Sequence, residues 1–364
     1  MMHDSIVLFK QEATNYLVAK LQSCRKKKSS VFILTDTNTH LHCLPLFLHE
    51  ILLHNFQIIE IEVKAGEENK TLESAQHIWS VLTKHQAGRD SLLMNLGGGT
   101  ITDLGCFAAS CYKRGISCIN IPTTLMGMVD AAIGGKTGVN YSDFKNHIGT
   151  FHLAEKVLIF TKFLKTLPPE EILSAKAEIL KYGFIASPHF LNRDLLTQPT
   201  DSESLQLVKE CAEIKIKITQ SDPHERGIRK ILNFGHTVGH AFESFALEHK
   251  LYLSHGQAIA AGMVAELYLS HRQHGLNKKV LDDYVNFWHS HFTPFFFSKL
   301  HIDDLVERMA QDKKNKGGEL HFVLISEAGK ADYDCIVEQH LAKESLEFYL
   351  NQIGDEPCCQ EKSR

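Results

Sequence analysis

The feature that most constrains the fold is an apolar segment that ends in three glycines. Leu92 to Leu96 has the composition of a short buried strand, Gly97-Gly98-Gly99 follows it, and an apolar, small-residue segment runs from Leu104 to Ser110. This order predicts a strand, a tight turn and the start of a helix. A backbone without Cβ atoms lets a phosphate approach closely, and the N-terminus of a helix favours an anion. The segment therefore predicts an α/β fold with an anion-binding turn.

The rest of the first half repeats this alternation. Helical patterns lie at Leu72–Leu82 and Leu104–Tyr112, and β-rich runs predict further strands at Val31–Leu34, Ile58–Val63, Cys118–Ile121 and Val157–Phe160. Such alternation is typical of βαβ units and a mainly parallel, Rossmann-like sheet.

The character of the chain changes near Thr166-Leu167-Pro168-Pro169. From Glu170 onward Leu, Ala, Lys and Glu recur at helical spacing, and Phe322–Ile325 is either a short strand or an extended crossing. We therefore expect an α/β domain over residues 1–167 and an all-α domain over residues 168–364. A length of 364 residues also favours two domains over one.

Composition excludes several classes of protein. A formal net charge of −4 offers no basic surface, so nucleic acid is not an expected partner. The nine cysteines are scattered without a Cys-x-x-Cys pair, and neither a signal segment nor a membrane-spanning apolar stretch is apparent. These observations predict a cytoplasmic protein with no membrane partner, disulfide framework or zinc finger. The 22 histidines leave a metal site open.

Residue types that bind metals recur in the second half. His236 and His240 are four apart and so project from one helical face, as paired zinc ligands do, and His255 opens a further helix. Glu178 and Lys181 share one face of a helix with apolar flanks. One carboxylate and two or three imidazoles could form a catalytic zinc site with an open position. Spacing alone leaves capping or core histidines, and a surface ion pair, as alternatives.

The first half offers polar residues that could contact a nucleotide or be only turn and cap formers. Asp36 follows a strand, where a carboxylate can accept from a ribose hydroxyl or cap a helix. Gly66-Glu67-Glu68-Asn69-Lys70 precedes a helix, and Thr123 and Thr124 follow Pro122. About thirty residues beyond the glycines come four polar side chains among small residues: Asp130, Lys136, Lys145 and Asn146.

Taken together these segments, over about residues 31–330, closely resemble the signature of the 3-dehydroquinate synthase family, sugar-phosphate cyclases of the shikimate pathway. The resemblance implies metal ligands at Glu178, His236 and His255, with His240 a polar active-site residue instead of a ligand. It implies catalytic or substrate-binding roles for Arg114, Asp130, Lys136, Asn146, Lys181, Lys215, Arg229, Asn233 and His240, and a further basic segment at Asp312–Lys314. It implies contacts to NAD from Asp36, Glu67, Lys70, Gly98, Gly99, Thr100, Ile101, Thr102, Asp103, Thr123, Thr124, Lys136, Lys145, Phe163, Leu164, Lys165 and Thr166.

The same resemblance implies the reaction. The substrate would be 3-deoxy-D-arabino-heptulosonate 7-phosphate, and the products 3-dehydroquinate and phosphate. NAD would oxidise the C5 hydroxyl at a divalent metal, zinc or cobalt, and would be regenerated after phosphate elimination. Ring opening and an intramolecular aldol step would close the carbocycle. The resemblance also implies a homodimer in which Arg114 reaches the neighbouring subunit's site.

Three rivals and three departures accompany this interpretation. The rivals are another cyclase such as a 2-epi-5-epi-valiolone synthase, a metal-dependent alcohol or polyol dehydrogenase, and a paralogue that only binds ligand.

The departures from the family pattern are Thr102 at a glycine position, Gln257 in place of the usual glutamate after His-Gly, and Lys176 at a position where small or apolar residues are usual. None removes a residue assigned to catalysis.

Overall fold

A computed structural model describes residues 6–51, 56–142, 144–192, 201–311 and 319–354. The chain divides into two compact units, one of residues 1–172 with 198–220 and one of residues 173–197 with 221–364. The sequence predicted a single boundary at 167, whereas in the structure a later segment, residues 198–220, belongs to the first unit. That segment is most of the helix Asp201–Ser221, whose Lys215 pairs with Asp130 and whose Lys209 lies 5.3 Å from the ring centroid of Phe9. Helical periodicity cannot reveal which unit a helix joins.

The first unit is built on a six-stranded sheet in which every recorded strand pairing is parallel. Its strands are β1 (Val7–Phe9), β2 (Val31–Asp36), β3 (Ile59–Val63), β4 (Leu92–Gly97), β5 (Ser117–Pro122) and β8 (Lys156–Ile159). Their order is β1-β8-β5-β4-β2-β3, and a separate antiparallel hairpin joins β6 (Lys136–Tyr141) to β7 (Phe144–Phe151). The predicted parallel sheet is confirmed, with β1 as an added edge strand.

Burial on both faces explains why β2 and β4 are almost continuous apolar runs. Every residue of β4 is buried, as are the first five residues of β2. Parallel strands are covered by crossover helices on each side and therefore lack a polar face. The helices of this unit are α1 (Lys10–Lys27), α2 (Thr37–His42), α3 (Leu44–Ile51), α4 (Leu72–Lys84), α5 (Gly99–Cys111) and α7 (Asp201–Ser221).

The second unit is mainly helical, as predicted. Its helices are α6 (Pro169–Ile185, from Leu173 onward), α8 (His236–Glu248), α9 (His255–Gln273), α10 (Lys278–His291), α11 (Ile302–Gln311) and α12 (Gln339–Ile353). Its described residues depart from an all-α unit where β9 (Leu320–Glu327) and β10 (Lys330–Val337) form an antiparallel hairpin. The strand alternative for Phe322–Ile325 is thus confirmed. Within the described ranges no helix has both the length and the apolar character that crossing a membrane requires.

Small residues allow α8 and α9 to approach each other closely. Gly235, which precedes α8, has φ +79°, and a Cβ atom built on Gly262 of α9 would lie 2.1 Å from the Gly235 carbonyl oxygen. The same atom would lie 2.8 Å from the backbone nitrogen of Gly239. Both neighbours are backbone atoms, so the contact cannot be relieved by a side-chain rotation.

We expect the Gly262→Ala variant to unfold more easily than the wild type, by roughly 1–3 kcal/mol, because the added methyl group overpacks this contact. Thermal and denaturant unfolding followed by circular dichroism measures the change. Ser290→Ala, on the exposed side of α10, also places an alanine in a helix but overpacks nothing, and it should leave the transition where it is. Equal stability of Gly262→Ala and wild type would contradict the prediction.

Candidate active-site residues

The predicted glycine turn connects β4 to α5. Gly97 ends the strand, Gly98 precedes the helix, and α5 begins at Gly99. A Cβ atom on Gly98 would lie 2.9 Å from Cγ2 of Thr124, and the backbone N–H of Thr123 donates to the Gly97 carbonyl at 3.0 Å. Because Gly98 has no side chain with which to cap the helix, the first N–H groups of α5 suit an anion. The strand, turn and helix are as the sequence predicted.

The turn lies beside the point where the strand order reverses. The chain runs from β2 outward to β3 and then back to β4 on the other side of β2. Ligands of parallel α/β sheets bind at the carboxyl ends of strands at such a point. Asp36 ends β2 there, and its Oδ1 accepts from the backbone N–H of Thr39 at 2.7 Å in a capping box that starts α2. The structure thus shows the capping role, which was one of the two predicted alternatives.

A buried lysine holds two carboxylates beside α5. Lys70 Nζ lies 2.9 Å from Glu67 Oε1 and 3.2 Å from Asp103 Oδ2, and Lys70 is 3% exposed. The Thr100 hydroxyl donates to Glu67 Oε2 at 2.8 Å, and the Asn140 amide donates to Oε1 at 3.2 Å. Four predicted NAD contacts, Glu67, Lys70, Thr100 and Asp103, therefore form one network.

The charges of this network depend on one another. Burial raises the pKa of the Asp103 carboxyl to about 6 despite the nearby Lys70 ammonium. Burial also opposes ionisation of Glu67 and Lys70, but attraction to the opposite charges holds the pKa of Glu67 below its ordinary value and raises that of Lys70. Lys70 therefore stays charged and keeps both carboxylates in place.

A second predicted pair also meets in this unit. Asp130 lies in the π-helical turn Gly127–Ala131, and Lys215 comes from α7. Lys215 Nζ lies 2.8 Å from Asp130 Oδ1 and donates to the Asp130 carbonyl at 2.6 Å. Single-turn π-helices occur frequently at functional sites. The ion pair fixes the ammonium of a buried lysine at the end of this turn.

The β6–β7 hairpin carries the other polar residues that follow the glycine turn. Lys136 begins β6 after Gly134 and Gly135, whose φ angles are +102° and +70°. Lys145 and Asn146 lie on β7, and the Asn146 backbone N–H donates to Asn140 Oδ1 at 2.9 Å. Since Asn140 also contacts Glu67, the hairpin is tied to the Lys70 network.

The remaining predicted residues of this unit lie apart or face inward. Thr102 is 1% exposed and returns its hydroxyl to the Gly99 carbonyl at 3.1 Å, so its side chain points into the protein. Phe163 is buried in the short helical turn Thr161–Thr166, where the Thr166 hydroxyl donates to the Phe163 carbonyl. Arg114 is exposed in a turn and has φ +66°. Asp312–Lys314 falls outside the described residues.

Three helices of the second unit bring the predicted metal ligands together. Glu178 comes from α6, His236 is the first residue of α8, and His255 is the first residue of α9. One ligand atom from each lies within 4.8 Å of the other two. Glu178 Oε1 is 3.4 Å from Nε2 of His236 and 3.4 Å from Nε2 of His255, and Glu178 has no solvent exposure.

Neighbouring oxygens orient both imidazoles. His236 Nδ1 lies 3.0 Å from the Phe234 carbonyl oxygen, and His255 Nδ1 lies 3.4 Å from Glu243 Oε2. A ring that donates from Nδ1 presents its Nε2 lone pair to a metal. Burial alone would lower the pKa of His255, but the carboxylates of Glu243 and Glu178 raise it to about 10. The site therefore attracts cations strongly.

This donor set fits a divalent metal. One buried carboxylate and two oriented imidazoles are three protein ligands, the number that catalytic sites combine with an open position. His240 lies beside the set, with its ring centroid 5.2 Å from that of His236 and 6.4 Å from that of His255. Among the described residues, the set whose ligand atoms lie within 4.8 Å of one another has Glu178, His236 and His255 as its members and does not include His240.

Other predicted substrate residues of this unit are also buried. Lys181, 1% exposed, forms an ion pair with Glu178 one turn earlier in α6. Arg229 Nη1 donates to the Pro223 carbonyl at 2.8 Å, and the Asn233 amide donates to Glu225 Oε1 at 2.9 Å. Each long side chain is thus held in a defined position before any ligand binds.

Sequence reasoning missed the glutamates that support the ligands. The buried Glu266 carboxylate accepts from the backbone N–H groups of Gly235, Thr237 and Val238 at 2.7, 3.0 and 3.3 Å. It supplies the cap that Gly235 cannot, and a carboxylate is favoured at a helix N-terminus. In the same way, Glu243 contacts His255, and Glu225 contacts Asn233. A glutamate inside an apolar helix such as α9 was the available signal.

The departure at Gln257 has a local explanation. The Ser254 hydroxyl accepts from the Gln257 N–H at 3.3 Å, and the Ser254 N–H donates to Gln257 Oε1 at 3.1 Å. This is a capping box at the start of α9, and glutamine completes it as well as glutamate does. In addition, the Gly256 N–H donates to Ser174 Oγ of α6 at 3.0 Å. His255 therefore lies on a helix end that is fixed from two sides.

We expect Glu243→Gln to weaken divalent metal binding by about 10–100-fold, because the carboxylate that orients His255 is replaced by a neutral amide. Titration of the metal-free protein with Co²⁺, followed by its visible absorption, measures the affinity. Glu248→Gln on the same helix is the matched control, since Glu248 is exposed and pairs with Arg308. Unchanged cobalt affinity in Glu243→Gln would show that Glu243 does not orient the ligand.

Comparison with known proteins supplies the family. Residues 60–174 match the 3-dehydroquinate synthase N-terminal family and residues 175–315 match the 3-dehydroquinate synthase C-terminal family. The 3-dehydroquinate synthase of Parabacteroides distasonis is 43% identical over 331 residues, covering 90% of this chain and 93% of that protein. That of Prochlorococcus marinus is 36% identical over 314 residues, covering 84% of each.

Solved structures agree on the fold. A 2-epi-5-epi-valiolone synthase from Streptomyces hygroscopicus, with NAD⁺ and Zn²⁺ bound, has a TM-score of 0.82 at 24% identity over 96% of this chain and 98% of that one. A 2-deoxy-scyllo-inosose synthase complexed with carbaglucose-6-phosphate, NAD⁺ and Co²⁺ has a TM-score of 0.80 at 20% identity over 94% and 96%. With both halves matched and a relative at 43% identity, the chain belongs to the 3-dehydroquinate synthase family.

Proposed function

We propose that this protein converts 3-deoxy-D-arabino-heptulosonate 7-phosphate into 3-dehydroquinate and phosphate, with NAD and a divalent metal, zinc or cobalt, as cofactors. Family membership supports the reaction. The observation that carries the proposal is the set of Glu178, His236 and His255, which lies within 4.8 Å and comes from three helices. When bound, the metal would acidify the hydroxyl groups of the substrate that it contacts, and NAD would accept a hydride and later return it.

The first unit would bind NAD. The turn at Gly98, Gly99 and Thr100, with Ile101, Thr102 and Asp103 in the first turns of α5, suits the pyrophosphate. Lys70 would keep Glu67 and Asp103 in position around it, as their ion pairs do in the structure. The other contacts would come from Asp36, Thr123, Thr124, Lys136, Lys145, Phe163, Leu164, Lys165 and Thr166.

Charged side chains would bind the two anionic groups of the substrate. A phosphate and a carboxylate require several cations, and a planar guanidinium binds either group through two hydrogen bonds. The side chains proposed to hold the substrate are Arg114, Asp130, Lys136, Asn146, Lys181, Lys215, Arg229, Asn233 and His240. Asp130 would fix the Lys215 ammonium through the ion pair already formed, and Glu178 would fix Lys181 in the same way.

Two rivals make different predictions. A synthase of the 2-epi-5-epi-valiolone type acts on a sugar phosphate without a carboxylate, and the buried Arg229 and Asn233 favour a substrate that has one. A polyol dehydrogenase would release NADH, and it has little use for Lys136, Lys181 and Lys215. The likeness to the solved valiolone synthase lies below 25% identity and so concerns the fold.

Purified protein supplied with heptulosonate phosphate, zinc or cobalt, and NAD far below the substrate concentration should release phosphate until the substrate is consumed. NADH absorbance should not rise, because each turnover regenerates NAD. His236→Ala should lose both turnover and tightly bound metal. Stoichiometric NADH formation, or phosphate release only from a sugar phosphate that lacks the carboxylate, would reject the proposal in favour of one of the two rivals.

We further propose a cytoplasmic homodimer in which Arg114 binds the substrate phosphate in the site of the partner subunit. Arg114 is exposed, and the residues Lys113, Arg114 and Gly115 have φ angles of +51°, +66° and +113°. Positive φ at two successive residues with side chains, Lys113 and Arg114, is an unusual and costly conformation for this exposed turn. Such strain is retained where a particular presentation of a side chain is needed, which supports a role for the guanidinium.

We expect Arg114→Ala to raise the KM for the substrate strongly without changing stability. Mixing it with His236→Ala after subunit exchange should restore about a quarter of wild-type activity, since half of the dimers are mixed and each has one complete site. Arg25→Ala, which removes another exposed arginine of the same unit, on α1, is the control and should keep wild-type kinetics. Mixtures without any rescue would mean that Arg114 does not serve the partner.

A further inference from the structure

Two buried thiols touch each other behind the glycine turn. Cys106 lies in α5, three residues after Asp103, and Cys118 lies in β5. Their sulfur atoms are 3.3 Å apart, and the residues are 2% and 1% exposed. Neither residue has a part in the proposed reaction, and neither was singled out by the sequence analysis.

Polar neighbours make this pair unlike two cysteines in an apolar core. Cys106 Sγ lies 3.2 Å from Asn120 Oδ1, and the Asn95 amide donates to the same oxygen at 2.8 Å. His152 also interacts with the Cys118 thiol. The contact with Cys106, together with His152, lowers the pKa of Cys118, while the pKa of Cys106 is raised well above its ordinary value. The contact therefore favours one thiolate beside one thiol.

A small cavity lies against the pair on the Cys106 side. It is lined by Cys106 and His152, together with Thr102, Asp103 and Lys136. His152 is only half-buried. Hydrogen peroxide, which is only slightly larger than water, would reach the pair at Cys106.

We propose that Cys106 and Cys118 are a redox modification site that a peroxide converts into an intramolecular disulfide. The thiolate of the pair attacks one peroxide oxygen, the O–O bond breaks, and the leaving hydroxide takes a proton from the His152 imidazolium. The sulfur of the other cysteine then attacks the resulting sulfenic acid, the S–O bond breaks, and the hydroxyl leaves as water with the remaining thiol proton. One peroxide is reduced to two waters while two thiols are oxidised to one disulfide.

The geometry permits this bond. A disulfide needs its sulfurs at about 2.05 Å, so the two atoms must close by about 1.2 Å. The bond would join α5 to β5 three residues from Asp103, and Cys106 could then no longer donate to Asn120. The proposal does not depend on the proposed reaction.

The test is treatment of the folded protein with hydrogen peroxide, alkylation of the remaining thiols and tryptic mass spectrometry. Trypsin cleaves after Lys113 and Arg114, so a disulfide would link two separate peptides with the loss of two hydrogens. Because Cys111 shares a peptide with Cys106, the experiment is done in parallel in Cys111→Ala. We expect the linked peptides in both proteins, their loss on addition of dithiothreitol, and none in Cys106→Ala or Cys118→Ala.

Two further outcomes bear on the proposal. The proposal would be overturned if peroxide oxidised the exposed Cys111 of the folded wild type but left the peptides that contain Cys106 and Cys118 unlinked. A stable sulfinic acid at Cys118 would overturn it as well. If a cysteine variant fails to fold, the wild-type and Cys111→Ala results still decide. His152→Gln should slow formation of the link about tenfold, and an unchanged rate would overturn the assignment of His152 as the proton donor.

Discussion

The second unit depends on one carboxylate that has no access to water. Glu178 is fully buried, and a buried charge is stable only when it is paired and hydrogen-bonded. Lys181 provides a cation from the same helix, and the imidazoles of His236 and His255 approach from two others. Close packing of α8 against α9 at Gly235 and Gly262 allows both imidazoles to lie next to Glu178. Packing and charge therefore specify the same arrangement.

Buried lysines of the first unit are also paired with carboxylates around the glycine turn. Lys70 pairs with Glu67 and Asp103, and Lys215 pairs with Asp130, so both ammonium groups are fixed by carboxylates of their own unit. A phosphate that approaches such a lysine does not have to order a mobile side chain. The entropy that ordering would cost at binding has been lost during folding instead.

Local patterns were enough to predict the strand, turn and helix at Gly97–Gly99, because each depends on residues close in sequence. The metal set could not be derived in this way. Glu178 is 58 residues from His236, and spacing alone paired His236 with His240 until the family resemblance corrected it. Two further features could not be predicted from local patterns, because both are tertiary contacts between separated segments. They are the membership of α7 in the first unit and the cap that Glu266 gives to α8. The resemblance contributed what periodicity lacks, which is knowledge of the residues that meet in space.

The bonds that hold α6, α8 and α9 at the ligand set involve no ligand atom. Ser174 binds the start of α9, and Glu266 binds the start of α8 from further along α9. Small zinc domains fold only when their metal arrives, so that metal affinity and stability are a single quantity. Here the bonds at the starts of α8 and α9 are made by atoms that would not contact the ion, so we expect stability and metal affinity to be separable. Exchange of one divalent ion for another would then leave the protein folded, and the metal in use would follow supply as well as affinity.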